Sequence, residues 1–159
     1  MRFCFDLDGT LLDTKQAVIE AYRAAGVEMP PDAWGKPWQS WLKFRHIHEW
    51  KNEHYPAMLR QHVKLLPLWP YAIAGHEIIT GASEAAVRVI ERYFIVKLNV
   101  KRFSATAQDK IDYLLTIPPG VYVDDDAETR RLTEEQTKWR AISPEEFLRS
   151  FSRPAPTLG

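Results

Sequence analysis

The sequence predicts an α/β fold, a three-layer arrangement with a parallel sheet between helices and a small α-helical insertion near the start of the chain. Three observations predict it. Short apolar runs alternate with stretches of helical spacing along most of the chain, which implies right-handed crossovers and parallel strand pairing. Several of those runs stop abruptly at Asp, Thr or Gly, as a buried strand stops at a loop. Between the first two runs, from Pro31 to Pro67, only helical signals occur.

Arg2 to Phe5 is the first strand, apolar and ended by Asp6, Leu7, Asp8 and Gly9. Thr14 then offers a cap to a helix whose Val18, Ala21, Tyr22 and Ala25 recur on one face, with Gly26 as its stop. From Pro31 to Pro67 two or three short helices are expected. Trp38, Trp41, Leu42, Arg45 and Glu49 share a face, Pro56 interrupts the run, and Met58, Leu59, His62, Val63 and Leu66 resume it. His76 to Thr80 is the next strand, followed by a helix over Ser83 to Tyr93 with Ala86, Val89, Ile90 and Tyr93 at helical spacing. Phe94 to Val100 is a third strand, and Thr106 opens a helix through a capping box with Asp109. Gly120 to Val123 is a fourth strand, stopped by three aspartates of which Asp126 suits the cap of a polar helix over Glu128 to Thr137. Trp139 to Ile142 is a short last strand, and Ser143, Pro144 and Glu146 start a helix carrying Phe147, Leu148 and Phe151. Residues 154–159 form a tail.

Composition narrows the function. The chain has 159 residues, 45% apolar and 26% charged, enough for one packed domain with a modest insertion. Lys plus Arg and Asp plus Glu number 21 each, so there is no global positive field to hold a nucleic-acid backbone. A small-molecule partner is expected instead, and nucleic acid is disfavoured. Cys4 is the only cysteine and lies in an apolar run. It reads as a small core residue compatible with a reducing compartment, and no stretch reaches the roughly 18 apolar residues of a membrane span, so a cytoplasmic location is expected. No oligomeric state is assigned.

Three strand ends carry the chemistry. A parallel sheet gathers them at one edge, where ligands of such sheets bind. They deliver Asp6 and Asp8, then Thr80 and Gly81, then Asp124 and Asp125. A carboxylate can attack a phosphate ester and form an aspartyl-phosphate, provided that a cation relieves its repulsion from the anionic substrate. Mg²⁺ suits clustered aspartate oxygens, and a second carboxylate two positions on can serve as general acid and base.

With these residues in view, FDLDGTLLDT at Phe5 to Thr14 resembles the first motif of the haloacid-dehalogenase superfamily of phosphatases and phosphotransferases. IITGAS at Ile78 to Ser83 resembles its second motif, Lys110 its lone basic third, and VYVDDD at Val121 to Asp126 its acidic fourth. The resemblance implies a Rossmann-like core over residues 1–14 and 72–153 and a helical cap over 15–71. It also implies Asp6 as nucleophile and Asp8 as general acid and base. Mg²⁺ would be held by Asp6, the Asp8 backbone carbonyl and Asp124, with Asp125 as a further candidate, and the phosphate by Thr80, Gly81 and Lys110. In the family an acid at Asp8 marks the phosphate-transferring branch, so dehalogenation is disfavoured. The expected reaction is Mg-dependent hydrolysis of a small phosphorylated metabolite, of the sugar phosphate or nucleoside monophosphate class. A phosphotransferase or phosphomutase, or a catalytically silent binding module, are the alternatives.

The insertion concentrates Trp34, Trp38, Trp41, Trp50 and Trp69, together with His46, His48, His54, His62, Arg45, Lys51 and Arg60. Its tryptophans read as cap core. His46 and His48 lie two apart and do not share a helix face, so no metal site is expected there. The stretch from Leu65 to Gly75 is too short for the helix that ordinarily precedes the second motif, which points to a reduced cap.

Overall fold

The computed structural model describes residues 1–34 and 45–151. Five strands form one parallel sheet: β1 (Phe3–Phe5), β4 (Glu77–Ile79), β5 (Val100–Arg102), β6 (Val121–Val123) and β7 (Arg140–Ile142). Their order is β5-β4-β1-β6-β7, with every neighbouring pair parallel. β1 lies at the centre with its carboxyl end between those of β4 and β6, because Phe5 is in register with both Ile78 and Val123.

Side-chain alternation along the strands produces the three layers. Phe5, Ile78, Val121, Val123 and Ile142 pack with α4 (Glu84–Phe94) and α7 (Pro144–Ser150) in one apolar cluster. Cys4, Ile79, Tyr122 and Ala141 point the other way, onto Tyr113 and Leu114 of α5 (Ala107–Leu114) and onto Trp139. Helix α6 (Ala127–Gln136) lies beside α5 and β7. Cys4 is thus a fully buried core thiol whose pKa burial pushes up. The expected caps form at three helices, where Thr106, Asp126 and Ser143 accept from the amides of Asp109, Thr129 and Glu146, and Ser83 caps a fourth by accepting from Ala86.

The insertion contains α1 (Lys15–Ala24) and α2 (Arg45–His62), packed on each other, with α2 also against α4. Its base is closed by an antiparallel pair, β2 (Leu12–Asp13) with β3 (Lys64–Leu65). A one-turn helix α3 (Trp69–Ile73) leads back into β4.

Three local expectations are corrected. The third strand is not Phe94 to Val100: α4 runs through Phe94 and is stopped by Ile95 in the left-handed region at φ 53°. The amides of Val96 and Leu98 then bond back to Glu91, so pairing begins only where Ile78 N–H meets the Asn99 carbonyl. Pro56 does not break the helical run but lies inside α2. Lys51, Tyr55 and Leu59, at i, i+4 and i+8, bury one continuous face across the proline, and that burial outweighs the lost backbone bond. Thr14 makes no side-chain cap to α1, because its hydroxyl is committed to Asp8. Trp38, Trp41 and Leu42, and the tail at 154–159, lie outside the described residues. No described helix is long and apolar enough to cross a membrane.

Candidate active site

The site is built at the carboxyl ends of β1, β4 and β6. The Asp6 amide donates to the Val123 carbonyl at 2.9 Å and the Asp124 amide to the Ile142 carbonyl at 3.2 Å. The sheet's own hydrogen bonding therefore continues one residue past each strand and sets Asp6 beside Asp124. Lys110, the fourth residue of α5, reaches both, with Nζ donating to Asp6 Oδ1 at 3.0 Å and to Asp124 Oδ2 at 3.2 Å. All three residues are buried.

Asp124 is held on every side. Its Oδ2 accepts from the Tyr122 hydroxyl at 2.5 Å, its Oδ1 from the Asp126 amide at 2.8 Å, and its carbonyl from Arg130 Nη1 at 2.8 Å. Asp125 is exposed; Thr10 donates its hydroxyl to Asp125 Oδ1 and accepts from the Asp125 amide, both at 3.2 Å. Oxygens of Asp6, Asp124 and Asp125 lie within 4.8 Å of one another.

The loop after β1 turns tightly. The Leu7 carbonyl accepts from the amides of Thr10, Leu11 and Leu12, and Gly9 N–H donates to the Leu12 carbonyl at 2.7 Å. Gly9 has φ +83°, and a Cβ there would lie 2.3 Å from Asp125 Oδ2. Glycine is needed both for the backbone angle and for this close approach. The turn presents Asp8, whose Oδ1 accepts from the Thr14 hydroxyl at 2.6 Å.

Charge is crowded here. Burial pushes the Asp6 carboxyl well above its ordinary range, and the Asp124 charge adds to this while Lys110 opposes it. Burial also raises the Asp8 carboxyl against the Thr14 hydrogen bond, and partial desolvation raises that of Asp125 although the residue as a whole is exposed. Burial pulls the Lys110 amine down, but the charges of Asp6 and Asp124 carry it above its ordinary value. One paired lysine does not balance three converging carboxylates. All-oxygen donors at this spacing, one of them made reluctant to ionise by its neighbours, fit a hard divalent cation.

Of the residues singled out from sequence, Asp6, Lys110 and Asp124 are in direct contact, and Asp125 joins them through the oxygen cluster. The Asp8 side chain is not part of that cluster. Thr80 is fully buried at the end of β4, with its Oγ1 accepting from the Ala82 amide at 3.0 Å, and Gly81 follows at the same edge. Sequence reasoning missed Tyr122, Thr10 and Arg130 as partners of the two aspartates, and Thr14 as the partner of Asp8. For Tyr122 a signal existed, since strand residues two apart share a face. In the insertion, the Tyr22 hydroxyl and His48 Nδ1 are 2.6 Å apart, and burial lowers the His48 ring to about 4.

No family model and no curated protein matches this chain. Solved structures do. CbbY from Rhodobacter sphaeroides, in complex with phosphate, is 18% identical with a TM-score of 0.62, over 89% of this chain and 84% of that one. The same protein, as a mutant in complex with xylulose-(1,5)-bisphosphate, gives a TM-score of 0.63. A hydrolase from Pseudomonas syringae is 14% identical with a TM-score of 0.58, over 98% of this chain and 99% of that one. A HAD-superfamily hydrolase from Geobacter sulfurreducens is 15% identical with a TM-score of 0.53, over 89% and 85%. The chain therefore has the fold of the haloacid-dehalogenase superfamily hydrolases, as its motifs predict.

Proposed function

We propose that this protein is a divalent-metal-dependent phosphohydrolase that cleaves a small phosphomonoester with Asp6 as nucleophile. The observation that carries the reading is the buried Asp6 carboxylate, paired with Lys110 beside Asp124 at the carboxyl edge of a parallel sheet, with Asp8 two residues on. The fold shared with phosphate- and sugar-bisphosphate-bound CbbY supports it.

In this reading an Asp6 carboxylate oxygen attacks phosphorus and the bond from phosphorus to the leaving oxygen breaks. Asp8 gives that oxygen its proton. Asp8 then takes a proton from the water that attacks the aspartyl-phosphate, so that Asp6 is regenerated and inorganic phosphate leaves. Lys110, Thr80 and the Gly81 backbone hold phosphate oxygens, with Lys110 neutralising charge next to the nucleophile. Asp6, Asp124 and Asp125, with the Asp8 backbone carbonyl, would hold Mg²⁺, which supplies charge neutralisation between carboxylate and phosphate. The segment 15–71 serves as a reduced cap over this edge, limiting water and contributing to substrate choice. Sugar phosphates are the substrate class that the neighbouring complexes favour.

The test is hydrolysis of p-nitrophenyl phosphate with and without Mg²⁺. Wild type is expected to release phosphate only with the metal, and Asp6→Asn to lose at least about 10³-fold in rate, as a missing covalent nucleophile requires. Unchanged turnover in that variant would refute the assignment. Comparing phosphate release with transfer to added alcohols separates hydrolase from phosphotransferase.

A further inference from the structure

Lys51 lies on the buried face of α2 and is only 5% exposed. Its Nζ lies 4.5 Å from the centre of the Tyr55 ring and 5.3 Å from that of Tyr22. Among the described residues it has no ion pair and no hydrogen-bond partner. The other buried lysine among the described residues, Lys110, has two carboxylates at 3.0 and 3.2 Å. Buried ammonium groups are ordinarily paired, because aromatic faces return only part of the lost hydration. Lys51 is therefore a largely buried cation without an anion among the described residues.

Its position says which anion it would meet. The Tyr55 hydroxyl approaches that of Thr14, and Thr14 donates to Asp8. Lys51 thus stands on the insertion side of Asp8, whose charge is the one that favours its protonated form, yet beyond ion-pair distance of it. On the proposed function, Asp8 protonates the leaving oxygen, so the leaving part of the substrate emerges between Asp8 and Lys51. The phosphoryl group under attack is served by Lys110, whose Nζ contacts the nucleophile itself.

We infer that Lys51 selects substrate: its ammonium binds a second anionic group, carboxylate or phosphate, carried by the leaving part of the phosphomonoester. The inference rests on the phosphohydrolase reading and deepens it. A Lys51 that served only to hold Asp8 would act equally on every substrate. One that reads a second anion discriminates among them.

The experiment compares kcat/KM, with Mg²⁺ present, for three esters of one length: ethylene glycol monophosphate, glycolate phosphate with its carboxylate, and ethylene glycol bisphosphate. Wild type is expected to prefer one or both doubly anionic esters over the neutral one by roughly 10- to 100-fold, the range of a hydrogen bond to a charged group. The preferred ester identifies carboxylate or phosphate. In Lys51→Met the preference is expected to fall to within about threefold of unity, and in Lys51→Arg to be largely kept. No preference in wild type overturns the inference without needing any variant. So does an equal loss on all three esters in Lys51→Met. If wild type hydrolyses neither these esters nor p-nitrophenyl phosphate, the phosphohydrolase reading fails. The ratio of Kd values for the same esters by calorimetry then decides the role of Lys51 on the same criterion.

Discussion

A cation held in the core without a partner weakens the fold, so replacing Lys51 by the similarly sized but neutral Met should strengthen it. Burial brings the Lys51 amine from 10.5 down to about 8. Carrying the proton in the folded state at neutral pH therefore costs roughly 3 kcal/mol. Against this, Met forfeits the attraction of the ammonium to the Tyr22 and Tyr55 rings, about 0.5–1 kcal/mol each. A net gain of about 1–2 kcal/mol follows, or roughly 2–8 °C in Tm for a chain of this length. The assay is urea unfolding of both proteins from pH 7 to 10. The folded pKa lies below the unfolded one, so the unfolded state binds the extra proton between about pH 8 and 10.5. Wild type therefore gains stability on Lys51 as pH rises through that window, and the advantage of the variant shrinks. The groups facing Lys51 are Asp8, Tyr22, His48 and Tyr55. In the fold, burial carries both tyrosines above the window and His48 down to about 4, below it, while burial raises the Asp8 carboxyl. Their unfolded-state titration is common to both proteins and cancels in the difference. A variant less stable than wild type by about 1 kcal/mol or more, or a difference independent of pH, would refute the reasoning.

Further outcomes are expected for Mg²⁺ binding and for two variants. Mg²⁺ at ten times its Kd should stabilise wild type by about 1.4 kcal/mol. Asp125→Asn, which removes an exposed carboxylate of the oxygen cluster without stranding a buried charge, should lose most of that response in a thermal melt; an undiminished Mg²⁺ shift would exclude Asp125 as a ligand. Gly9→Ala should cost about 1–3 kcal/mol from its φ of +83° and, by displacing Asp125, weaken Mg²⁺ binding. Wild-type Mg²⁺ affinity in that variant would show that the close approach of loop and carboxylate is unimportant.

The parts of the fold that were legible in the sequence are those with a local cause. Ser83, Thr106, Asp126 and Ser143 cap the helices that they announce, because a cap needs only an oxygen and an amide three residues apart. β1 and β6 end where their apolar runs meet acids, because a charge cannot continue a strand buried on both faces. The errors have non-local causes. Phe94, Val96 and Leu98 look like a strand, but Glu91 captures two amides of that segment, and pairing is deferred to Val100. Pro56 looks like a stop, but the burial of Tyr55 and Leu59 on either side carries the helix through. Thr14 has the chemistry of a cap, and Asp8 takes its hydroxyl instead.

The candidate site divides in the same way. The order of residue types along the chain, Asp6 and Asp8, then Thr80, Lys110 and Asp124, by itself pointed to the fold class and to the chemistry proposed, because strand ends in a parallel sheet must converge on one edge. Only the tertiary structure decided which carboxylates bring their oxygens together and which lysine is paired. Lys110 and Lys51 are each a lysine on a helix in the sequence. The fold places one between Asp6 and Asp124 and the other against two tyrosine rings, with no ion pair among the described residues. Partnership across 104 residues of chain, as between Asp6 and Lys110, is set by packing, and no local pattern encodes it.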